Sequence, residues 1–190
     1  VTCFPATGLG SFGAPVQGPM TPVGTFVLQD FIVRDLDHDG HADIAWFMPS
    51  GGLSVARGEA AGTFTDLRLV PLDSFTPAAV FFQTLIARDL DGDGREELAA
   101  IAQGSGGTLR CAVVDHSTGW NFQVVHSETL NYALATISAG DFNGDGRVDI
   151  VVGGTEVSLP SIDASLTFFR NEGSLTGWSR VVQPWSSSSF

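Results

Sequence analysis

The sequence predicts an all-β protein built from repeats of about 53 residues, each folded as a four-stranded antiparallel sheet. A nine-residue acidic pattern occurs three times, and its copies start 54 and 52 residues apart. Short apolar runs bounded by glycine-containing turns flank every copy, as expected for strands. The composition, with 23 glycines, 43 % hydrophobic residues and only 16 % charged residues, suits many short strands and turns.

The repeated pattern is Asp-x-Asp/Asn-x-Asp-Gly-x-x-Asp/Glu. We call its copies the first loop (35–43), the second loop (89–97) and the third loop (141–149). Side-chain oxygens at positions 1, 3, 5 and 9, with the backbone carbonyl at position 7, can surround one hard cation, and the glycine at position 6 permits a sharp turn. The predicted ligands are Asp35, Asp37, Asp39, His41 and Asp43; Asp89, Asp91, Asp93, Arg95 and Glu97; and Asp141, Asn143, Asp145, Arg147 and Asp149. The residues at position 7 would bind through the backbone, with their side chains pointing elsewhere.

An oxygen-only ligand set favours calcium, which accepts about 6–8 oxygens in flexible geometry, whereas magnesium prefers a stricter octahedron. Zinc is not expected, because no Cys or His side chain occupies a ligand position. An EF-hand needs a Glu at position 12 and a helix on each side. Position 12 holds Trp46, Ala100 and Val152, and the flanks are predicted strands. The sequence therefore predicts three calcium ions, one in each loop, that hold the loops in place.

Each repeat is expected to contain four strands in succession. The first strands end at the loops, in Phe31-Ile-Val, Leu85-Ile-Ala and 135–139. The second strands are predicted at 43–48, 97–102 and 149–153, the third at 53–57, 108–114 and 166–170, and the fourth at 65–72, 120–126 and 178–183. Four strands per period of this length are typical of a propeller blade.

On these loops and strands, the chain resembles the FG-GAP/VCBS repeat family, which includes the calcium-bearing blades of integrin α-subunit heads and of many secreted proteins. The residues 62–64 and 169–173 are similar to the family's turn between the third and fourth strands, and 11–16 resembles the start of a fourth strand from a preceding blade. The resemblance covers about residues 10–185. It implies a β-propeller with calcium in the connection between the first and second strands of each blade.

The expected organisation is a leading segment followed by three blades. The predicted bounds are 1–25 for a leading strand and its connection, 26–79, 80–132 and 133–185 for the blades, and 186–190 for a tail. Closed propellers have about 4–8 blades. Three blades are therefore expected to be part of a larger propeller or to assemble with further copies of the chain. Because the chain begins at Val1 without an initiator methionine, we expect a processed or excised segment.

The formal net charge of −12 argues against nucleic-acid binding, which favours a basic surface. Of the 21 acidic residues, 11 occupy predicted ligand positions, so much of the acidity reflects the predicted ion sites. No apolar run approaches the roughly 20 residues of a membrane span. The two cysteines, Cys3 and Cys111, are too few for a disulfide framework, and a single bridge between them stays open as a possibility.

The sequence favours a binding protein over an enzyme. It has no Gly-x-Ser-x-Gly motif, no phosphate-binding glycine loop and no zinc-spaced His/Cys cluster. Asp115-His116 is a pair of neighbours with no evident third partner. We expect a secreted, calcium-stabilised module that recognises glycans or an extracellular protein, since weak calcium loops suit extracellular calcium concentrations. The alternative is a non-catalytic scaffold portion of a larger secreted enzyme or adhesin.

Ligand-binding residues are expected on the rim opposite the calcium loops, as in related propellers. That rim would be made by 17–25, 73–79 and 127–132, and by 49–52, 103–107 and 154–164. The last of these connections is longer than its counterparts, which favours a binding loop. The tryptophans at 46, 120 and 178 are expected mainly in the core or opening outer strands, and Trp185 is the least constrained candidate for stacking on a sugar.

Overall fold

The computed structural model describes residues 2–3, 6–8, 11–12, 14, 16–17, 30–48, 52–60, 62–72, 83–103, 109–116, 120–132, 134–158 and 161–185. This part of the chain is all-β and contains no helix. Accordingly, none of the described segments is a helix of the length and apolarity needed to cross a membrane.

The strands follow one another along the chain in short antiparallel units. The first four are β1 (Thr2–Cys3), β2 (Ala6–Gly8), β3 (Ser11–Phe12) and β4 (Val16–Gln17). The first repeat contains β5 (Phe31–Arg34), β6 (Asp43–Met48), β7 (Gly52–Gly58) and β8 (Phe64–Pro71). The second contains β9 (Gln83–Arg88), β10 (Glu97–Gln103), β11 (Leu109–Asp115) and β12 (Gln123–Leu130). The third contains β13 (Leu134–Gly140), β14 (Asp149–Ser158), β15 (Ser161–Ser174) and β16 (Gly177–Trp185).

Each repeat forms one four-stranded antiparallel sheet in which neighbouring strands are consecutive in sequence. We call β5–β8 the first sheet, β9–β12 the second sheet and β13–β16 the third sheet. The predicted all-β class and the four-stranded antiparallel repeat are confirmed, and the sheets are consistent with blades of an incomplete propeller. The three sheets lie within the predicted blade bounds, which stay a prediction.

The N-terminal segment forms two small ladders, in which β1 pairs with β4 and β2 pairs with β3. The segment 11–16, expected to begin the fourth strand of a preceding blade, is divided between β3 and β4 instead. Gly13 and Pro15 separate these two strands in the sequence, and proline cannot donate a hydrogen bond to a ladder.

The sheets meet through their first strands. Strand β9 contacts both β5 and β13, so the first strands of the three sheets lie side by side. Residues from these strands line an open cavity of about 350 Å³, with Arg34 and Arg88 among them. The first strands of the three sheets therefore surround a common space, as the inner strands of a propeller do.

The second sheet is buried on both faces. In β10, Leu98, Ala100 and Ala102 pack in the core shared with the first sheet, whereas Ala99 and Ile101 pack in the core shared with the third sheet. Successive side chains of a strand point to opposite faces. An unbroken apolar run is therefore what a strand between two sheets requires.

The outer sheets leave large apolar side chains exposed. On β5, Phe31 and Val33 are 50 % and 48 % exposed, and on β16, Val182 is 46 % exposed. At the start of the third loop, Phe142 is 48 % exposed, and its ring lies 5.9 Å from that of Phe168. The two ends of the array thus differ from the second sheet, which has apolar neighbours on both sides.

The bounds of several strands differ from the sequence prediction. The fourth strand of the second sheet is Gln123–Leu130 rather than 120–126, because the indole Nε1 of Trp120 donates to Asp66 O of the first sheet at 2.7 Å. Residue 120 therefore packs between sheets instead of extending the ladder.

The expected long connection 154–164 is largely a paired hairpin. Strands β14 and β15 pair as far as Ser158 and Ser161. The alternating β-branched residues Thr155, Val157 and Ile162 in this stretch favour strand over open loop.

Cys111 is a free thiol buried in the core between the second and third sheets. The open possibility of a bridge to Cys3 is therefore not realised in this structure. Burial raises the pKa of the Cys111 thiol to about 12, so the group stays protonated and poorly reactive at neutral pH.

We expect Gly58→Ala to destabilise the protein by about 2–3 kcal/mol, because an added Cβ would lie 2.1 Å from Ala42 O, a backbone atom that cannot move aside easily. Urea unfolding measures the change. Gly153→Ala is the matched control, since its Cβ would meet the flexible end of Leu166 at 3.3 Å. Equal losses in the two variants would contradict this explanation.

Candidate metal centres in the three loops

All three loops turn at the same two positions. The glycines at position 6, Gly40, Gly94 and Gly146, have φ angles of 89°, 90° and 84°. Position 4 also has a positive φ, at 60° in His38, 83° in Gly92 and 78° in Gly144. The turn at position 6 was predicted from its glycine. The turn at position 4 was not predicted, although glycine at this position in two loops was a signal for it. His38 adopts this conformation as a non-glycine residue, which is uncommon.

The carboxylate at position 1 organises each loop around itself. Its Oδ2 accepts the N–H of the position-6 glycine, from Gly40 to Asp35 at 3.0 Å, from Gly94 to Asp89 at 3.0 Å and from Gly146 to Asp141 at 2.9 Å. Backbone donors, Gly146 foremost, hold the pKa of Asp141 below its usual value, so this carboxylate stays ionised.

Positions 3 and 5 each use one side-chain oxygen within the loop. That oxygen accepts the N–H two residues further along, at distances between 2.7 and 3.3 Å, in Asp37, Asp39, Asp91, Asp93, Asn143 and Asp145. Within the described loops, the second carboxylate oxygens take no backbone N–H. Asn143 differs, because its Nδ2 donates to Asp145 Oδ2 at 3.0 Å. In all three loops, the backbone therefore leaves the second oxygen of these carboxylates without a main-chain N–H donor.

The carboxylate at position 9 is buried and joins the loop to its sheet. Asp43 accepts the N–H of Leu36 at 2.7 Å and that of Gly58 at 2.8 Å. Asp149 accepts the N–H of Phe142 at 3.2 Å and that of Asn171 at 2.9 Å. Glu97 accepts the N–H of Leu90 at 2.7 Å. Burial is the main cause that raises the pKa of Asp43, and it raises that of Glu97 to about 7.

The structure brings together some, but not all, of the predicted ligands. In the first loop, carboxylate oxygens of Asp35, Asp37 and Asp39 lie within 4.8 Å of one another. In the second loop, the corresponding group is Asp89, Asp91 and Glu97. The third loop forms no such group of three acidic residues within the described chain, since Asn143 replaces an acid. The roles predicted for the carbonyls of His41, Arg95 and Arg147 stay a prediction.

Asn171 connects the second and third loops and is only 2 % exposed. Its Nδ2 donates to Leu90 O in the second loop and to Val148 O in the third, the latter at 3.2 Å. Its Oδ1 accepts the N–H of Gly173 at 2.9 Å. In the sequence, this residue was noted only within the segment 169–173 that resembles the family's turn. Its contacts could not be predicted there, because they depend on how two sheets pack.

His116 has a comparable structural position in the second sheet. It is 1 % exposed, and its Nε2 donates to Glu96 O at 3.0 Å, which fixes the tautomer with hydrogen on that nitrogen. Asp115 is also buried. This neighbouring pair therefore lies against the second loop.

The tryptophans with described side chains have structural partners. Trp46 is 6 % exposed, Trp120 packs edge-on against Phe122 with ring centroids 4.9 Å apart, and Trp178 Nε1 donates to Leu175 O at 2.7 Å. The side chain of Trp185 lies outside the described residues. Much of the expected binding rim, namely 18–25, 49–51, 73–79 and 104–107, also lies outside them.

Comparison with protein families identifies the repeat. The model of the FG-GAP-like repeat matches residues 35–100 and 89–152, which together make up more than half of the chain. The chain belongs to the FG-GAP-like repeat family. Neither the curated proteins nor the solved structures gave a match to it. With the three sheets, the match indicates a β-propeller-like module.

Repeats of this family often bind calcium, and the donor chemistry of the first two loops fits that ion. The clustered groups are carboxylates, which calcium prefers. In the second loop, burial is the main cause that raises the pKa of Asp91, and the neighbouring charges of Asp93 and Asp89 add to it. These carboxylates are held close together despite their mutual repulsion, an arrangement that a divalent cation would relieve.

We expect the stability of the protein in chelator to fall as the pH rises, in part through Glu97. Its pKa of about 7 exceeds the usual 4.5, so between these values the folded protein holds a proton that the unfolded chain has lost. The contribution is fully present below about pH 4.5 and is lost as the pH rises through 7. At about 1.4 kcal/mol per pKa unit, its size is roughly 3 kcal/mol.

Urea unfolding from pH 5 to pH 8 measures this effect against Glu97→Gln. The amide keeps an acceptor for the Leu90 N–H but cannot titrate, so the variant should lose less stability over that range. Identical pH profiles for the two proteins would show that Glu97 is not responsible.

Proposed function

We propose that this chain is a calcium-stabilised binding module without catalytic activity of its own. The observation that carries the proposal is the common hydrogen-bond pattern of the three loops, in which one oxygen at positions 3 and 5 accepts a backbone N–H and the second oxygen of each carboxylate accepts none, so that a cation can approach it. In the first loop that cation is the guanidinium of Arg57 in this structure. An ion that binds only this folded arrangement stabilises the protein by mass action.

The proposed ions number up to three, one in each loop. The second loop supports the assignment best, because Asp89, Asp91 and Glu97 approach one another there and Glu97 adds a buried carboxylate. The third loop supports it less, since Asn143 contributes no charge. Calcium would supply positive charge between these groups and would hold the connection between the first two strands of each sheet.

The buried surroundings of the titratable side chains favour a binding role over a catalytic one. His116 and Asp115 are buried against the second loop, and His126 packs against the rings of Phe169 and Trp178. Burial is the main cause that lowers the pKa of His126, so this residue is neutral at pH 7. Among the described residues, these groups serve packing and loop geometry.

Glycans or an extracellular protein are the proposed ligands, and the proposed location is outside the cell. Loops of this weak type bind calcium at concentrations of about 10⁻⁴–10⁻³ M in extracellular modules. The acidic surface, with a formal net charge of −12, disfavours nucleic acid as a ligand.

The alternative is that the chain is a scaffold portion of a larger secreted enzyme or adhesin. The exposed apolar side chains Phe31 and Val33 on the first sheet, and Phe142 and Val182 at the third, favour this alternative. Large apolar side chains that are exposed at both ends of the array are candidates for contact with another surface. Further blades, or a second copy of the chain, could cover it.

We expect calcium to raise the melting temperature and Asp91→Asn to remove part of that rise. At free calcium about 100 times the dissociation constant, one site adds about 2.7 kcal/mol, or roughly 5–10 °C for a chain of this size. The amide of Asn can still accept the Asp93 N–H, so the folded loop is preserved while one charge is lost. Calorimetry of both proteins, in calcium and in chelator, measures the rise in melting temperature and the part of it that Asp91→Asn removes.

The same loss in chelator as in calcium would show that Asp91 supports the fold without the ion. If calcium leaves the melting temperature of the native chain unchanged, the proposed calcium binding is contradicted.

We expect the calcium-loaded chain to retain glycans on an array or an extracellular protein in a pull-down, and to lose them in chelator. Light scattering in both buffers distinguishes the alternatives, because a calcium-dependent dimer would agree with a chain that acts by self-assembly. Blank arrays and pull-downs with a monomer in calcium would favour the scaffold role instead.

A further inference from the structure

The three loops differ in the residue that flanks them on the third strand of the sheet. Strand register makes Ala56, Val114 and Phe169 equivalent, since they pair with Ile44, Leu98 and Ile150, each the first residue after its loop. The next residue, which we call the flanking residue, is Arg57 for the first loop, Asp115 for the second and Arg170 for the third. One structural position therefore bears opposite charges in neighbouring sheets.

Arg57 contacts the first loop through the oxygens that the backbone leaves unused. Its Nε lies 2.6 Å from Asp37 Oδ2, at ion-pair distance but without hydrogen-bond alignment, and its Nη2 donates to Asp39 Oδ2 at 3.0 Å. The other oxygen of each carboxylate already accepts a loop N–H. The guanidinium therefore neutralises the same two carboxylates that a bound cation would use.

Asp115 brings the opposite charge to the second loop. It is buried next to His116, which binds Glu96 O of that loop, and it occupies the strand position that Arg57 has in the first sheet. Where the first loop has a cation at the flanking position, the second has an additional anion. The flanking residue of the second loop is thus a carboxylate, which cannot take the place of a cation between the carboxylates of the loop.

The third loop provides an internal comparison. Its flanking residue, Arg170, is exposed, and the ion pair within this loop is formed instead by Arg147 and Asp145, with Nη1 and Oδ2 3.6 Å apart. Arg170 and Arg57 have the same charge and equivalent backbone positions. They differ in whether the guanidinium reaches the carboxylates of the loop.

We propose that the flanking residue sets the cation affinity of its loop, and that Arg57 is a built-in counter-cation that makes the first loop fill after the second. This inference rests on the proposed calcium binding and adds an order of filling to it. At low calcium, Arg57 would hold the first loop in its folded shape. At higher calcium, the ion would displace the guanidinium from Asp37 and Asp39.

The test is a titration of the full chain with calcium chloride, followed by ¹H–¹⁵N correlation spectra. Gly40, Gly94 and Gly146 each supply one amide signal per loop, from the N–H that binds the position-1 carboxylate. In the native chain, we expect the Gly94 signal to titrate at lower calcium than the Gly40 signal. In Arg57→Gln, the Gly40 midpoint should fall at least about tenfold, while the Gly94 midpoint stays the same.

Three further variants isolate the cause. Arg170→Gln makes the same charge change in the third loop and should shift the Gly146 midpoint much less. Arg57→Lys keeps the positive charge and should keep the Gly40 midpoint near that of the native chain. Asp115→Asn should move the Gly94 midpoint to higher calcium, and it tests the proposal independently if the Arg57 variants fold poorly.

The outcomes separate this inference from the proposed function. An unmoved Gly40 midpoint in Arg57→Gln, or equal shifts in Arg57→Gln and Arg170→Gln, would overturn the role of Arg57 while calcium binding stands. If no glycine signal in any of these proteins responds to calcium, the proposed calcium binding fails and the order of filling fails with it.

Discussion

The buried carboxylate at position 9 ties each acidic loop to its sheet, and much of the local structure depends on it. In the first loop, Asp43 accepts one N–H from the start of the loop and another from Gly58 on the third strand. A buried N–H without an acceptor costs about 1–3 kcal/mol. One side chain thereby fixes where the loop begins, where it ends and how it lies against the strand beside it.

This tie lets the loop hold like charges close together. The carboxylates at positions 1, 3 and 5 repel one another, yet each accepts backbone N–H groups that the glycine turns direct inward. The second loop also brings its position-9 carboxylate into the cluster, because Glu97 is one methylene longer than Asp43 and approaches Asp89 and Asp91. The loops therefore share one backbone design and differ in the charge that they present.

The backbone carbonyl at position 8 of each loop is contacted by a different residue type in each sheet. Gly58 leaves no room there for a side chain, His116 donates a ring N–H to Glu96 O, and Asn171 donates to Val148 O. Only Asn171 also reaches the preceding loop, at Leu90 O. The contact between the second and third loops thus depends on a residue type that the other sheets do not share.

The sequence alone determined the all-β class, the repeat period, the presence of every strand in the three sheets and the residues of the three loops. These features depend on local signals, because side-chain alternation, turn glycines and the hydrogen bonds of a nine-residue loop lie within short stretches of chain. Tertiary structure alone decided the ion pairs of Arg57, the position of Trp120 and the bridge made by Asn171. Asn171 and Leu90 are 81 residues apart, and only the register of strands and the packing of sheets brings such residues into contact.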